Sequence, residues 1–164
     1  MTHTISRGKG SRSIRTAVAI GAATLGLVVL SACEKPTPRA TVTVGSDSVS
    51  TEATCYTEGK KLSQDKVLSC VKKKTDTSIT VGEGDMLRIG VDPEIAETGW
   101  VVFLGERPVV SEPIGKTYRS FSSDGLFAQT DGTSADTVQL SVVGYDGSRY
   151  SDGVWRINLD REED

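Results

Sequence analysis

Between Ala40 and Leu159, apolar residues fall at every second position in one short run after another. Ala40, Val42 and Val44 alternate with Thr41 and Thr43. Leu87, Ile89 and Val91 alternate with Met86, Arg88 and Gly90. Val138, Leu140 and Val142 repeat the pattern, and Trp155, Ile157 and Leu159 share one face opposite Arg156 and Asn158. A period of two is that of a strand with one buried face. Trp100-Val101-Val102-Phe103-Leu104 is continuously apolar, as expected of a strand buried on both faces. Further strands are predicted around Ser48 to Tyr56, at Ile79 to Val81 and around Thr117 to Ser122. Gly45-Ser46-Asp47, Gly82-Glu83-Gly84-Asp85, Gly105-Glu106, Asp124-Gly125 and Asp146-Gly147 supply the turns, and Asp92 to Thr98 reads as a charged loop. Seven or more short strands at this spacing predict an all-β sandwich over residues 40–159.

The first 32 residues read differently. Arg7, Lys9, Arg12 and Arg15 form a basic start without an acid, and Ala17 to Leu30 carries no charge. As a helix those 14 residues span about 21 Å, short of a ~30 Å hydrocarbon core. A basic start, an apolar middle and a small-residue end define a secretory signal. Leu30-Ser31-Ala32-Cys33 resembles the bacterial lipobox. The resemblance implies cleavage before Cys33 and a thioether-linked diacylglycerol on it. Two acyl chains give firm attachment where one is marginal. Residues 33–39 then form a short, proline-containing linker, and the six residues after Cys33 reach at most about 20 Å. The expected location is the outer face of the cytoplasmic membrane, with the lipid on Cys33 as the membrane contact.

Of nineteen basic residues the leader holds four, so the remainder carries fifteen against 22 acidic ones, a formal charge of −7. That balance disfavours binding to nucleic acid or to an anionic surface by charge. The one histidine, His3, lies in the leader. A Ser-His-Asp triad, a Cys-His dyad and a histidine-based metal site are therefore excluded from the mature chain. Cys55 and Cys70 remain in an oxidising compartment, where a structural disulfide is expected.

One helix is predicted from Gln64 to about Lys73, capped by Ser63, with Leu62 and Val67 spaced as a hydrophobic staple. Lys72, Lys73 and Lys74 suit the negative end of its dipole. A Cys55–Cys70 bridge would pin this helix to the second strand. Asp160 to Asp164 form a charged, frayed tail.

Candidate chemistry is sparse. Ser63-Gln64-Asp65-Lys66 and Ser69-Cys70-Val71-Lys72 both match S-x-x-K, a serine-lysine pattern, but its companion motifs are missing. Glu83, Asp85, Asp92, Glu94 and Glu97 could supply a carboxylate pair for glycoside hydrolysis. Calcium-loop spacing is absent. Trp100 and Trp155 fit core positions better than a ligand platform. Tyr145 and Tyr150 flank the Asp146-Gly147 turn, where exposed tyrosines suit recognition.

Cys33-Glu34-Lys35-Pro36-Thr37-Pro38, Ala40-Thr41-Val42-Thr43-Val44 and Arg88-Ile89-Gly90-Val91-Asp92-Pro93-Glu94 together resemble a family of small actinobacterial lipoproteins carrying a domain of unknown function. The resemblance implies no activity and no site residue beyond the lipid cysteine. Ile79-Thr80-Val81 followed by Leu87-Arg88-Ile89 resembles the opening of secreted immunoglobulin-like domains. The expectation is a non-catalytic binding module without a cofactor or metal, facing an envelope protein or cell-wall partner. The alternatives are a carboxylate-dependent envelope hydrolase and an immunoglobulin-like protease inhibitor. For the inhibitor, Glu97-Thr98-Gly99-Trp100 and Arg107-Pro108 would be the contact loops.

Overall fold

The computed structural model describes residues 36–110, 112–128 and 132–163. The expected leader, the lipobox and Cys33 lie outside the described residues. In chain order the elements are β1 (Ala40–Val44), β2 (Asp47–Thr51), β3 (Ala53–Tyr56), α1 (Gln64–Val71), β4 (Ser78–Val81), β5 (Met86–Val91), α2 (Pro93–Thr98), β6 (Trp100–Leu104), β7 (Arg107–Pro108), β8 (Tyr118–Ser122), β9 (Thr137–Tyr145) and β10 (Tyr150–Arg161). One sheet has the order β2-β1-β5-β8, and the other β3-β10-β9-β6-β7. The two form a β-sandwich, as the alternation predicts. From β5 onward the strands divide as in an immunoglobulin-like sandwich: β5 and β8 lie in one sheet, and β6, β9 and β10 in the other.

The core lies between the sheets. Val42, Leu87 and Ile89 meet Val102, Val142, Trp155, Ile157 and Leu159, all buried. Each contributes on the order of 2 kcal/mol by leaving water. The indole of Trp155 folds back over Gly153, where a Cβ would come within 2.2 Å of the ring. Its Nε1 donates to the Pro38 carbonyl at 2.6 Å and fixes the chain at its entry into the domain.

A second core explains why Trp100 to Leu104 is apolar on both faces. Val101 and Phe103 point away from the first core, with Val143 and Val154 beside them. Leu62, Val67 and Val71 from α1 and its approach cover that outer face. Ser63 caps α1 by accepting from the Lys66 amide at 3.3 Å. Cys55 and Cys70 are disulfide-bonded, joining α1 to β3. A bridge over a loop of this length contributes about 3 kcal/mol.

Four details differ from the sequence pattern. The strand expected over Ser48 to Tyr56 bends at Glu52 and changes sheets. Thr51 pairs with Ala40 of β1, whereas Ala53 pairs with Trp155 of β10. The charged loop over Asp92 to Thr98 contains the six-residue α2, started by Asp92 with Pro93 at its first position. Helix α1 stops at Val71, so the three lysines follow it rather than lie in its last turn. The frayed tail expected from Asp160 begins later, because β10 runs to Arg161 alongside β4.

Trp155 can pack as it does only over a residue without a side chain. Gly153→Ala should destabilise the domain by roughly 1–3 kcal/mol through overpacking. Equilibrium denaturation in urea measures this, and a neutral substitution would contradict the indole's position.

Candidate functional site

The sandwich is asymmetric. On one side the continuous β2–β3 segment stitches the two sheets together, and β4 completes the edge of β10. On the other side the sheets end separately. The first ends at β8, and the second at the two-residue β7 and the backbone that follows it. There Val109 N donates to Val102 O at 2.7 Å, and Ile114 bridges Trp100.

A cleft of about 220 Å³ opens between these two edges. Leu87, Ile89 and Phe121 line one wall, and Val102, Leu104, Val109 and Leu140 the other. Leu126 closes one end, next to Asp124. A second, more open groove of about 410 Å³ lies along β8 at Tyr118, Arg119 and Ser120, against Pro113–Lys116. Three large apolar side chains are exposed among the described residues: Met86, Val109 and Tyr118. Val109 lies on the cleft wall, whereas Met86 on β5 and Tyr118 on β8 lie on the outward face of the first sheet.

The ladder between β5 and β8 determines which backbone groups of β8 are used. Val91 N donates to Thr117 O and Ser123 N to Asp85 O, and the register between them is unbroken. In an antiparallel ladder the bonded pairs fall on alternate residues. Thr117, Arg119, Phe121 and Ser123 therefore bond inward, and the amides and carbonyls of Tyr118, Ser120 and Ser122 point to the free edge. The side chains alternate too. Phe121 and Arg119 share the core-facing side opposite Leu87 and Ile89. The Arg119 guanidinium sits 5.7 Å from the centre of the Phe121 ring. It makes no ion pair among the described residues.

The residues singled out in the sequence are dispersed. Glu83 and Asp85 stand before β5 and Asp92 after it, with Glu94 and Glu97 on α2. Six strand residues separate the two groups by about 20 Å. That exceeds the 5–9.5 Å that separates paired glycosidase carboxylates. Asp85 accepts from Gly82 N at 2.8 Å and Asp92 from Arg39 N at 2.8 Å, so both brace backbone. No cluster of three or more His, Cys, Asp or Glu among the described residues is arranged to hold a metal ion. The serine-lysine patterns are absorbed by α1: Ser63 caps it, Ser69 Oγ donates to Lys66 O at 2.7 Å, and Lys72 pairs with Glu106 at 3.1 Å. Trp100 and Trp155 are core residues, the former donating to Lys116 O at 2.8 Å. Of the residues named for an inhibitor, Glu97 and Thr98 are helical, Trp100 is buried, and Arg107–Pro108 form the exposed edge strand β7.

Tyr145 and Tyr150 stack with ring centres 5.3 Å apart, and Tyr150 leans on Phe103 at 6.5 Å. They extend the second core. The turn between them spans four residues, with Tyr150 paired to Tyr145. Asp146 organises it by accepting from Ser148 N, Ser148 Oγ and Arg149 N, and it also pairs with Lys61. Lys61 and these donors hold the Asp146 carboxyl well below the usual carboxylate range.

Arg156 is the one arginine buried completely among the described residues. It donates to Gln139 Oε1, while its Nε and Nη1, Ser141 Oγ and Asn158 Oδ1 have no partner among the described residues. Burial lowers its affinity for the proton. Alternation alone places it opposite the core, and the segment after α1 covers it: Thr75 Oγ1 donates to its carbonyl at 3.4 Å.

The sequence matches no protein-family model and no curated protein.

The depressed Asp146 acidity has a pH signature. Its ionised form contributes stability above about pH 4, the unfolded value, and the contribution is lost as pH falls through the lower folded value. Asp146→Asn should flatten the fall in thermal midpoint between about pH 4 and 2. An unchanged acid limb would refute the role of Asp146.

Proposed function

We propose that the chain is a lipid-anchored extracytoplasmic protein and that its domain is a non-catalytic binding module. Its ligand seat is the cleft between β8 and the β7 edge. The observation that carries this reading is the asymmetry of the sandwich. One side is sealed by the continuous β2–β3 segment, and the other opens on an apolar cleft whose wall includes the exposed Val109. A volume of about 220 Å³ is below the roughly 300–1,000 Å³ of small-molecule sites. It suits one or two side chains of a partner better than a cofactor.

The chemistry around the cleft points the same way. Its lining is aliphatic and aromatic, with Asp124 as its one carboxylate and Ser122 as its one hydroxyl. Histidine is absent after residue 3. Anchoring rests on the basic start, the short apolar run and the small-residue end at Cys33, together with the resemblance to small actinobacterial lipoproteins.

Protein extracted from membranes tests both parts. Its intact mass should begin at Cys33 and include a diacylglycerol; a chain retaining residues 1–32 without lipid would overturn the anchor. Toluene titrated into isotope-labelled domain should shift the methyl signals of Leu87, Leu126 and Leu140 saturably. Leu126→Asp should abolish those shifts while leaving the α1 signals unmoved. Toluene shifts spread evenly over the surface would overturn the cleft as a seat.

A further inference from the structure

The cleft lies against the free edge of β8, and its geometry points to one occupant: an extended segment of a partner polypeptide that adds to the sheet as an antiparallel strand beside β8. This inference rests on the cleft being the ligand seat and names the ligand's chemistry. Strand addition requires a row of unpaired backbone groups and pockets for alternate side chains. Tyr118, Ser120 and Ser122, whose outward groups have no backbone partner among the described residues, present the row. Phe121 and the cleft behind it supply the apolar pocket, and the groove past Tyr118, Arg119 and Ser120 continues the track.

Arg119 sets the pattern of the incoming strand. It lies on the core-facing side, two residues before Phe121, and finds no acid among the described residues. Lys116 lines the same groove. These are cations in a chain that is acidic after its leader. A partner residue opposite Phe121 would enter the cleft and should be apolar. The residue two positions later would face Arg119 and should be acidic. The antiparallel motif is therefore apolar-x-acid.

The same arginine disfavours indiscriminate pairing. A charge pointing inward on an edge strand is one way natural sheets resist edge-to-edge aggregation. An entirely apolar strand would bury Arg119 without a counter-charge, at a cost that an acid removes. Selection of a partner and protection of the edge are thus carried by one side chain.

The probe is the peptide acetyl-Thr-Ser-Leu-Thr-Glu-Thr-Ser-amide, titrated into the labelled domain and followed by amide NMR. The amides of Tyr118, Ser120 and Ser122 should shift and gain protection from exchange. Ser120→Pro removes one outward N–H and no bond to β5, and edge strands tolerate proline there. It should weaken binding about fivefold. Arg119→Glu should weaken it about tenfold, and a peptide with lysine in place of glutamate should restore binding to that variant. The charge swap keeps the test decisive if Ser120→Pro misfolds. If toluene still enters the cleft while the peptide leaves the β8 amides unmoved, strand addition is overturned and the cleft reading stands. If both fail, both fall. Concentration-dependent broadening of β8 signals without peptide would assign the edge to a second copy of the chain and overturn the proposal.

Discussion

Everything in the domain leans on β10. Its inward face carries Trp155, Ile157 and Leu159 into the first core, and Val154 on its outward face joins the second. One edge pairs with β9 along most of its length. The other is shared end to end: β3 takes Gly153 to Trp155 and β4 takes Asn158 to Arg161. A twelve-residue strand can serve two partners in this way where a strand of ordinary length cannot. The Trp155–Pro38 hydrogen bond adds the start of the domain to the same strand. The cost of ordering distant parts of the chain is thereby met at one place, where burial is most complete.

The open side follows from the closed one. β2 and β3 are consecutive, so the chain seals one flank without a loop. β7 and β8 are separated by the segment around Ile114, which spends its hydrogen bonds on Trp100. Among the described residues no strand bridges the remaining gap, and Leu87, Ile89 and Phe121 line the cleft there. The layer behind it is two sheets backed by the disulfide-linked α1.

The periodicity of two and of 3.6 made most elements legible. β1, β5, β9 and β10 follow their alternation. The two-faced apolar run at Trp100 to Leu104 announced a second covered face. Its cover, α1, was legible from Ser63 and from the Leu62–Val67 spacing, and the Cys55–Cys70 bond from the two cysteines that follow Cys33. Helix α2 also had a signal, in Asp92 before Pro93, that the charged composition obscured. The bend at Glu52 had none, because both halves of the strand are equally good strands. The cleft was illegible for a deeper reason. It depends on which edges remain without partners, a property of strand order that local periodicity does not encode. Arg156 illustrates the same limit: alternation places it opposite the core, and tertiary packing buries it.

Native-state hydrogen exchange, resolved residue by residue, tests the open edge most directly. The amides of Arg119 and Phe121 should be protected by β5, and those of Val154 to Leu159 should be the slowest in the domain. The amides of Tyr118, Ser120 and Ser122 should exchange at least about tenfold faster than their neighbours in β8. Uniform protection along Tyr118 to Ser122 would mean that the edge is already covered, and the account of the domain as a sandwich sealed on one side and open on the other would be wrong.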